Sequence, residues 1–265
     1  MLSDDEFRVF LHELDRPWTG FRKVRKGVKK RLRRHMQALD CSTIEQYIDH
    51  LHRHPAAMAA CQEQLRVTIS RFFRDRHLWR VLQERILPGL AGRFAGTIRA
   101  WSAGCACGEE PYSLAMVWSE LGRPADLDLL ATDANRAGLA RARAGRYPRS
   151  SLKEVPDSLR EKYFELKRGG RQFLIRAHRL PTIRWQQHDL LDPPPAGPVH
   201  LILLRNNLLT YYQSDLLRKA FEGIIAVLPP GGCLLTGSHE RLPESPVSLT
   251  RDMGCPWVYW RKNAL

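Results

Sequence analysis

The first third of the chain carries apolar residues at helical spacing. Val24, Val28, Leu32 and Met36 recur every fourth residue, which lines one side of a helix. Ser42-Thr-Ile-Glu45 precedes Tyr47, Ile48 and Leu51. A hydroxyl residue followed three positions later by an acid is a capping-box pattern, so a helix is predicted to start near Ser42. Further helices are predicted over about Pro55 to Arg66 and Arg76 to Ile86, after which Pro88-Gly89 punctuates the chain. From about Thr97 short apolar runs alternate with helical stretches. The runs 97–103, 127–132, 183–186, 199–204, 232–236 and 257–260 read as strands, and 111–121, 136–144 and 214–228 as helices. Such alternation predicts an α/β domain with a mostly parallel sheet covered on both faces. The alternation breaks at Phe164–Ile175, which reads as a hairpin turning at Gly169-Gly170. Asp192-Pro-Pro-Pro-Ala-Gly-Pro198 reads as a stiff loop rather than a domain linker.

At 265 residues and 43% hydrophobic, the chain can bury a substantial core in one large or two modest domains. Apolar residues and seven tryptophans run along its whole length, which argues against a disordered protein. No apolar run approaches the roughly 20 residues that span a bilayer. The start, Met1-Leu-Ser-Asp-Asp-Glu-Phe7, lacks a basic segment followed by an apolar one and is not a secretory signal. The six cysteines are scattered and read as buried thiols of a cytoplasmic protein. Lys and Arg outnumber Asp and Glu by 42 to 28, a net +14. Much of the excess sits between Arg22 and Arg34, which holds nine basic residues and no acid. That cluster is either a docking surface for an anionic partner or a solvated helix face.

The turn after the first strand is Ala103-Gly-Cys-Ala-Cys-Gly-Glu-Glu-Pro-Tyr-Ser113. In open α/β sheets ligands sit at the carboxyl ends of the strands, and this turn usually holds the cofactor. Gly104 and Gly108 allow a tight turn and close approach to a ligand, but their spacing is not that of a dinucleotide fingerprint. Glu109 and Glu110 at the helix start would repel a pyrophosphate and suit a cationic cofactor such as S-adenosylmethionine. Asp133 ends the second strand, either as a ribose ligand or as a helix N-cap, and its position favours the ribose. Cys105 and Cys107 have no second pair with zinc spacing, so no metal site is expected and they read as small residues in a tight turn.

Trp101-Ser-Ala-Gly-Cys-Ala-Cys-Gly-Glu-Glu-Pro-Tyr-Ser113 closely resembles the cofactor motif of the CheR family of S-adenosylmethionine-dependent protein-glutamate O-methyltransferases. Ser70-Arg-Phe-Phe-Arg-Asp75, Ala131-Thr-Asp133, Gly145-Arg-Tyr147, Tyr163-Phe164, Arg205-Asn206 and Pro230-Gly-Gly232 follow the family pattern in order, so the resemblance covers essentially the whole chain. It implies an N-terminal all-helical domain (1–88) and a Rossmann-like, seven-stranded methyltransferase domain (89–265) with a small β-subdomain inserted at about 146–182. By the same resemblance, Thr68, Ser70, Arg74, Ala103, Glu109, Asp133, Asp189, Leu190, Arg205 and Asn206 fall where the family meets the cofactor, with S-adenosylhomocysteine as product. Arg74 and Tyr211 fall on the proposed catalytic groups. The run Arg205-Asn-Asn-Leu-Leu-Thr-Tyr-Tyr212 departs from the usual R-N-V-x-I-Y-F, with Asn207 and Tyr212 unusual. Val67-Thr-Ile-Ser70 replaces I-N-V-T, and Gly237-Ser-His-Glu240 resembles a G-H-S-E segment loosely.

Methyl transfer to a carboxylate needs alignment and desolvation more than a base, because the carboxylate is already ionised at neutral pH. Arg74 can grip a carboxylate in its planar fork, or pair with Asp75 at the surface. Tyr211 can fix the acceptor oxygen, or be a tyrosine at the edge of a core. The resemblance implies that the basic helix docks on acidic, glutamate-bearing receptor helices. Rival readings are a methyltransferase for a small carboxylate and a non-catalytic cofactor-binding signalling module. Nucleic acid is disfavoured, since Arg205-Asn-Asn-Leu stands where base-amino methyltransferases carry [DN]-P-P-[YF].

Overall fold

A computed structural model describes residues 2–167, 169–195 and 197–262. Met1, Arg168 of the expected hairpin and Ala196 of the proline-rich loop lie outside the described residues.

The chain forms two compact units. The first runs to Thr68 and includes Leu209–Leu217. It contains α1 (Asp4–Glu13), α2 (Trp18–Phe21), α3 (Arg25–Ala38), α4 (Ile44–Arg53) and α5 (Pro55–Leu65). Phe7, Phe10, Phe21, Val28, Leu32, Met36, Tyr47 and Leu51 form its core, so the every-fourth-residue stripe of α3 is the buried face. The cap of α4 is one residue later than expected. Thr43, not Ser42, accepts from the Gln46 amide, and Gln46 reaches back to the amides of Ser42 and Thr43. Glutamine supplies the same carbonyl oxygen as glutamate, which shifts the box without changing its physics.

The second unit begins at Ile69. Its first helices are α6 (Arg76–Val81) and α7 (Leu87–Arg93), joined by a π-helical turn over Leu82–Ile86. Pro88-Gly89 therefore does not end the helix, and the compact helical unit closes before the expected boundary at 88. Proline lacks an amide hydrogen, and placed in the first turn of α7, just past the wide π turn, it leaves little of the helix ladder broken.

Beyond these come β1 (Ile98–Ala103), α8 (Glu109–Glu120), β2 (Leu127–Asp133), α9 (Arg136–Ala144), β3 (Arg146–Pro148), α10 (Asp157–Tyr163), β4 (Phe164–Leu166), β5 (Gln172–Ile175), β6 (Ile183–Gln187), β7 (Leu201–Leu203), α11 (Leu208–Tyr211), α12 (Ser214–Ala226), β8 (Cys233–Leu235), β9 (Leu249–Arg251) and β10 (Val258–Arg261). The main sheet has seven strands in the order β6-β2-β1-β7-β8-β10-β9, with β10 antiparallel to both its neighbours. The short edge strand β9 has no counterpart in the sequence reading. α8 is buried continuously from Pro111 to Trp118, which matches its apolar character all round. The expected hairpin is β4–β5, turning through Gly169 and Gly170 at φ 96° and 67°, and β3 pairs on the other side of β5. Because β1 lies between β2 and β7, the chain reverses strand order there, and the carboxyl ends of β6, β2, β1 and β7 form one rim. Among the described residues no helix is long and apolar enough to cross a membrane.

Candidate cofactor site and its supports

The turn after β1 is held by its neighbours. The amides of Gly104 and Cys105 both donate to the Thr132 carbonyl, at 2.9 and 2.8 Å. Gly104 and Gly108 have φ of +81° and +91°, where side chains are strained. The close approach expected of both glycines is made by the protein itself. A Cβ on Gly108 would meet the Ala142 methyl, the Trp185 ring and the Tyr147 hydroxyl at 2.8–3.0 Å. Tyr147 donates to the Cys107 carbonyl at 2.7 Å, so β3 props the turn from beneath. A Cβ on Gly104 would collide with the side-chain amide of Asn207, with Leu190 at 3.3 Å. Cys105 packs on Ala131 and Leu139, and burial pushes its thiol up.

Asp133 is not an N-cap. Asn135 caps α9 by accepting from the Gly138 amide at 2.9 Å. Asp133 instead accepts from the amides of Ala106 and Asn135, each at 2.8 Å, which fixes the carboxylate at the end of β2. A carboxylate oxygen accepts more than one hydrogen bond, so the ribose reading is compatible with this anchoring. On the β6 side, Asp189 accepts from the Leu191 amide at 3.1 Å, and His188 is tied to the Pro193 carbonyl at 2.9 Å.

The two glutamates have different work. Glu110 accepts from Ser102 at 2.7 Å and from Arg205 at 3.1 Å, and is spent on the fold. Glu109 is 3% exposed; Ser151 donates to one of its oxygens at 3.3 Å, while its Oε2 has no partner among the described residues. Burial raises its carboxyl, and its own backbone amide and the Ser151 hydroxyl oppose this. An orphaned buried carboxylate oxygen on the cofactor turn fits a cationic ligand group, such as the ammonium of S-adenosylmethionine.

Arg205 is a hub. With its side chain 2% exposed, it pairs with Glu110 and with Asp75 (2.7 Å), and donates to the Arg74 carbonyl at 3.0 Å. Trp79 donates to the same carbonyl at 2.8 Å. The strap 70–75 is also held by bonds from the Phe72 amide to the Ser151 carbonyl and from the Phe73 amide to the Ser113 hydroxyl. Phe73 and Asp75 both sit at positive φ, 54° and 65°, so the strap is bent tightly about Arg74. The Arg74 backbone is thus pinned, whereas its guanidinium has no hydrogen-bond or ion-pair partner among the described residues. The surface pair with Asp75 is not formed, because Asp75 is taken by Arg205. Arg74 lines a cleft with Ile69, Ser70, Arg71, Asp75 and Glu154.

Asn206, at φ 56°, is fixed by its amide donating to Glu240, which also takes the Gly237 amide. Glu240, Ser151, Tyr147 and Asn207 were not singled out as site residues. Only the loose Gly-Ser-His-Glu likeness and the Gly-Arg-Tyr match signalled two of them. Ala103, Gly104, Glu109, Leu190, Arg205 and Asn206 cluster with the strap on the rim of the second unit. Thr68 and Tyr211 belong to the helical unit. There Thr68 is exposed, and the Tyr211 ring packs 5.0 Å from that of Phe21. The Tyr211 carbonyl accepts from Arg16 at 3.1 Å, and Arg16 stacks on Tyr212 at 3.5 Å.

The basic run divides in two. Arg25 and Lys29 pair with Asp4 at 3.0 and 2.6 Å, and Arg31 donates to the carbonyls of Gln64 and Arg66 at the end of α5. Lys26, Lys30, Arg33 and Arg34 are exposed and have no ion pair among the described residues. Their spacing of i, i+4, i+7 and i+8 makes one stripe on α3, away from the buried stripe. Arg22 and Lys23, also exposed, lie just before it.

The family model described as CheR methyltransferase, SAM binding domain, matches residues 68–258. A chemotaxis protein methyltransferase of Listeria monocytogenes is 32% identical over 76% of this chain and 75% of its own length. A probable chemotaxis protein methyltransferase of Rhizobium etli is 33% identical over 81% of this chain and 84% of its own. An uncharacterised 104.1 kDa protein of Rhodobacter capsulatus is 30% identical over 82% of this chain, which spans only 23% of that protein.

Proposed function

The chain belongs to the CheR methyltransferase family, with S-adenosylmethionine as its cofactor, and from that premise we propose that it methylates a carboxylate, a glutamate side chain on an acidic protein of the chemoreceptor kind. The observation that carries this reading is Arg74, whose guanidinium has no partner among the described residues, on a pinned backbone in a cleft of the strap. A cation held this way suits an anionic acceptor, since the backbone order is already in place and the fork meets a carboxylate at two points.

When bound, S-adenosylmethionine would supply an electrophilic methyl on its sulfonium, the acceptor becoming a methyl ester and the cofactor S-adenosylhomocysteine. The chain's residues align and desolvate. Glu109 offers its unpartnered oxygen to the ammonium, and Asp133 its carboxylate to the ribose. Asp189 and Leu190 border the adenine side. Arg205 acts as a positioning residue: it holds the Arg74 carbonyl while Glu110 and Asp75 neutralise its charge. Arg74 grips the acceptor carboxylate. The exposed stripe Lys26, Lys30, Arg33 and Arg34 steers an acidic helical partner, leaving Arg25, Lys29 and Arg31 to the fold.

The test is transfer of labelled methyl to purified receptor cytoplasmic fragments, with methanol released by base as the signature of an ester. No transfer to the protein, with transfer to small carboxylates, replaces the acceptor. No transfer at all, with S-adenosylhomocysteine bound, makes the chain a binding module.

A further inference from the structure

Asn207 stands where the family's usual pattern has valine, and it has found work on the cofactor turn. Its side-chain amide donates to the Ala103 carbonyl at 2.5 Å and approaches the Gly104 carbonyl at 3.4 Å. Its own oxygen accepts from the Leu208 amide at 2.6 Å, which holds the carboxamide in line. The space over Gly104, which a tight glycine turn would offer to a ligand, is filled by this amide and by Leu190.

We propose that Asn207 is an internal placeholder for the cofactor's ammonium: its amide occupies the backbone acceptor of the turn and swings away when cofactor binds. A carbonyl can receive only a donor. Among the donors of S-adenosylmethionine, the ammonium is the one whose charge is answered on this same turn, by the unpartnered oxygen of Glu109. A carbonyl has two lone pairs, but this amide and Leu190 fill the space over Gly104 through which an ammonium would reach it, so the charged donor displaces the neutral amide. Its cost is the lost Asn207 hydrogen bond, which lowers affinity by that amount. This hydrogen bond also satisfies the Ala103 carbonyl and ties the end of β1 to the segment after β7. The inference rests on the cofactor reading of Ala103 and Glu109 and is independent of the methyl acceptor.

Calorimetric titration of the full chain and of Asn207→Val decides it, with two ligands. S-adenosylhomocysteine carries the ammonium, and 5′-methylthioadenosine lacks the whole amino-acid end. The expected result is a Kd for S-adenosylhomocysteine tightened by about 3- to 10-fold, the value of one net hydrogen bond. The Kd for methylthioadenosine stays where it was. Unchanged or weaker binding of S-adenosylhomocysteine overturns the placeholder, and so does an equal gain for both ligands, which would mean a loosened turn. Failure of the unaltered chain to bind S-adenosylhomocysteine would instead sink the cofactor-site reading itself. Should Asn207→Val not fold, Asn207→Ser carries the same comparison, its hydroxyl being too short to span to the Ala103 carbonyl.

Discussion

Replacing Arg205 by methionine removes the one cation that answers two acids. Arg205 is 2% exposed in its side chain, Glu110 14% and Asp75 25%. Asp75 can turn to water, whereas Glu110 keeps only its bond from Ser102. Breaking a buried pair by deleting one partner costs about 3–5 kcal/mol, most of it for the charge left behind. The loss is therefore traceable to Glu110, and it depends on pH. Burial already raises the Glu110 carboxyl, and Arg205 is the main influence holding it down. In Arg205→Met the folded-state value rises further above the unfolded one. A raised carboxyl contributes stability that is present below the unfolded value and is lost as pH climbs through the window up to the folded value. Urea unfolding should thus show a large deficit at neutral pH that shrinks as pH falls toward the ordinary carboxylate range. Arg205→Met/Glu110→Gln should recover a good part of it at neutral pH. A deficit that is flat with pH, or that the second substitution leaves untouched, would refute the assignment of Arg205 as counter-ion to Glu110.

Arg74→Ala should abolish methyl transfer while thermal unfolding stays within a degree or so, because no described contact of the guanidinium is lost; full turnover in the labelled-methyl assay removes Arg74 from the chemistry. Reversing Lys26, Lys30, Arg33 and Arg34 to glutamate should raise KM for an acidic protein substrate and spare the Kd for S-adenosylhomocysteine, and a flat KM returns the stripe to a solvated face. Glu109→Gln should weaken S-adenosylhomocysteine binding. In the unaltered chain that binding should decline as pH falls through the raised Glu109 value, since the protonated acid loses its charge for the ammonium, and the glutamine variant should lack this decline. A shared decline in calorimetric titrations would place the titrating group elsewhere.

Legibility from the sequence followed the range of the interactions. The α3 stripe, the α8 helix and the strands at the rim rest on local periodicity, and they were readable to within a few residues. Glu109, Asp133 and Arg74 stand out in the sequence because motif and charge point the same way. What escaped were contacts made across long separations. Nothing near Arg205 announces that it bonds Glu110, Asp75 and the Arg74 carbonyl together. Nothing near Gly104 says that Asn207 fills its space. The apparent uniformity of the basic run dissolved for the same reason. Asp4 and the end of α5 select Arg25, Lys29 and Arg31 by geometry, and spacing alone cannot separate these from their exposed neighbours. The boundary at Thr68 was hidden because Pro88-Gly89 looks like a breaker and is absorbed beside a π turn.

The Tyr147 hydroxyl on the Cys107 carbonyl makes the inserted three-stranded sheet inseparable from the turn it abuts. Such a sheet looks like a cassette that could be trimmed or exchanged between relatives. Cutting it out would leave a buried carbonyl without a donor and a void beside Gly108. Grafts should therefore keep Tyr147 with its strand, and across relatives position 108 should stay glycine, since a Cβ there would meet Ala142 and Trp185 as well as Tyr147 on a backbone that strains any side chain.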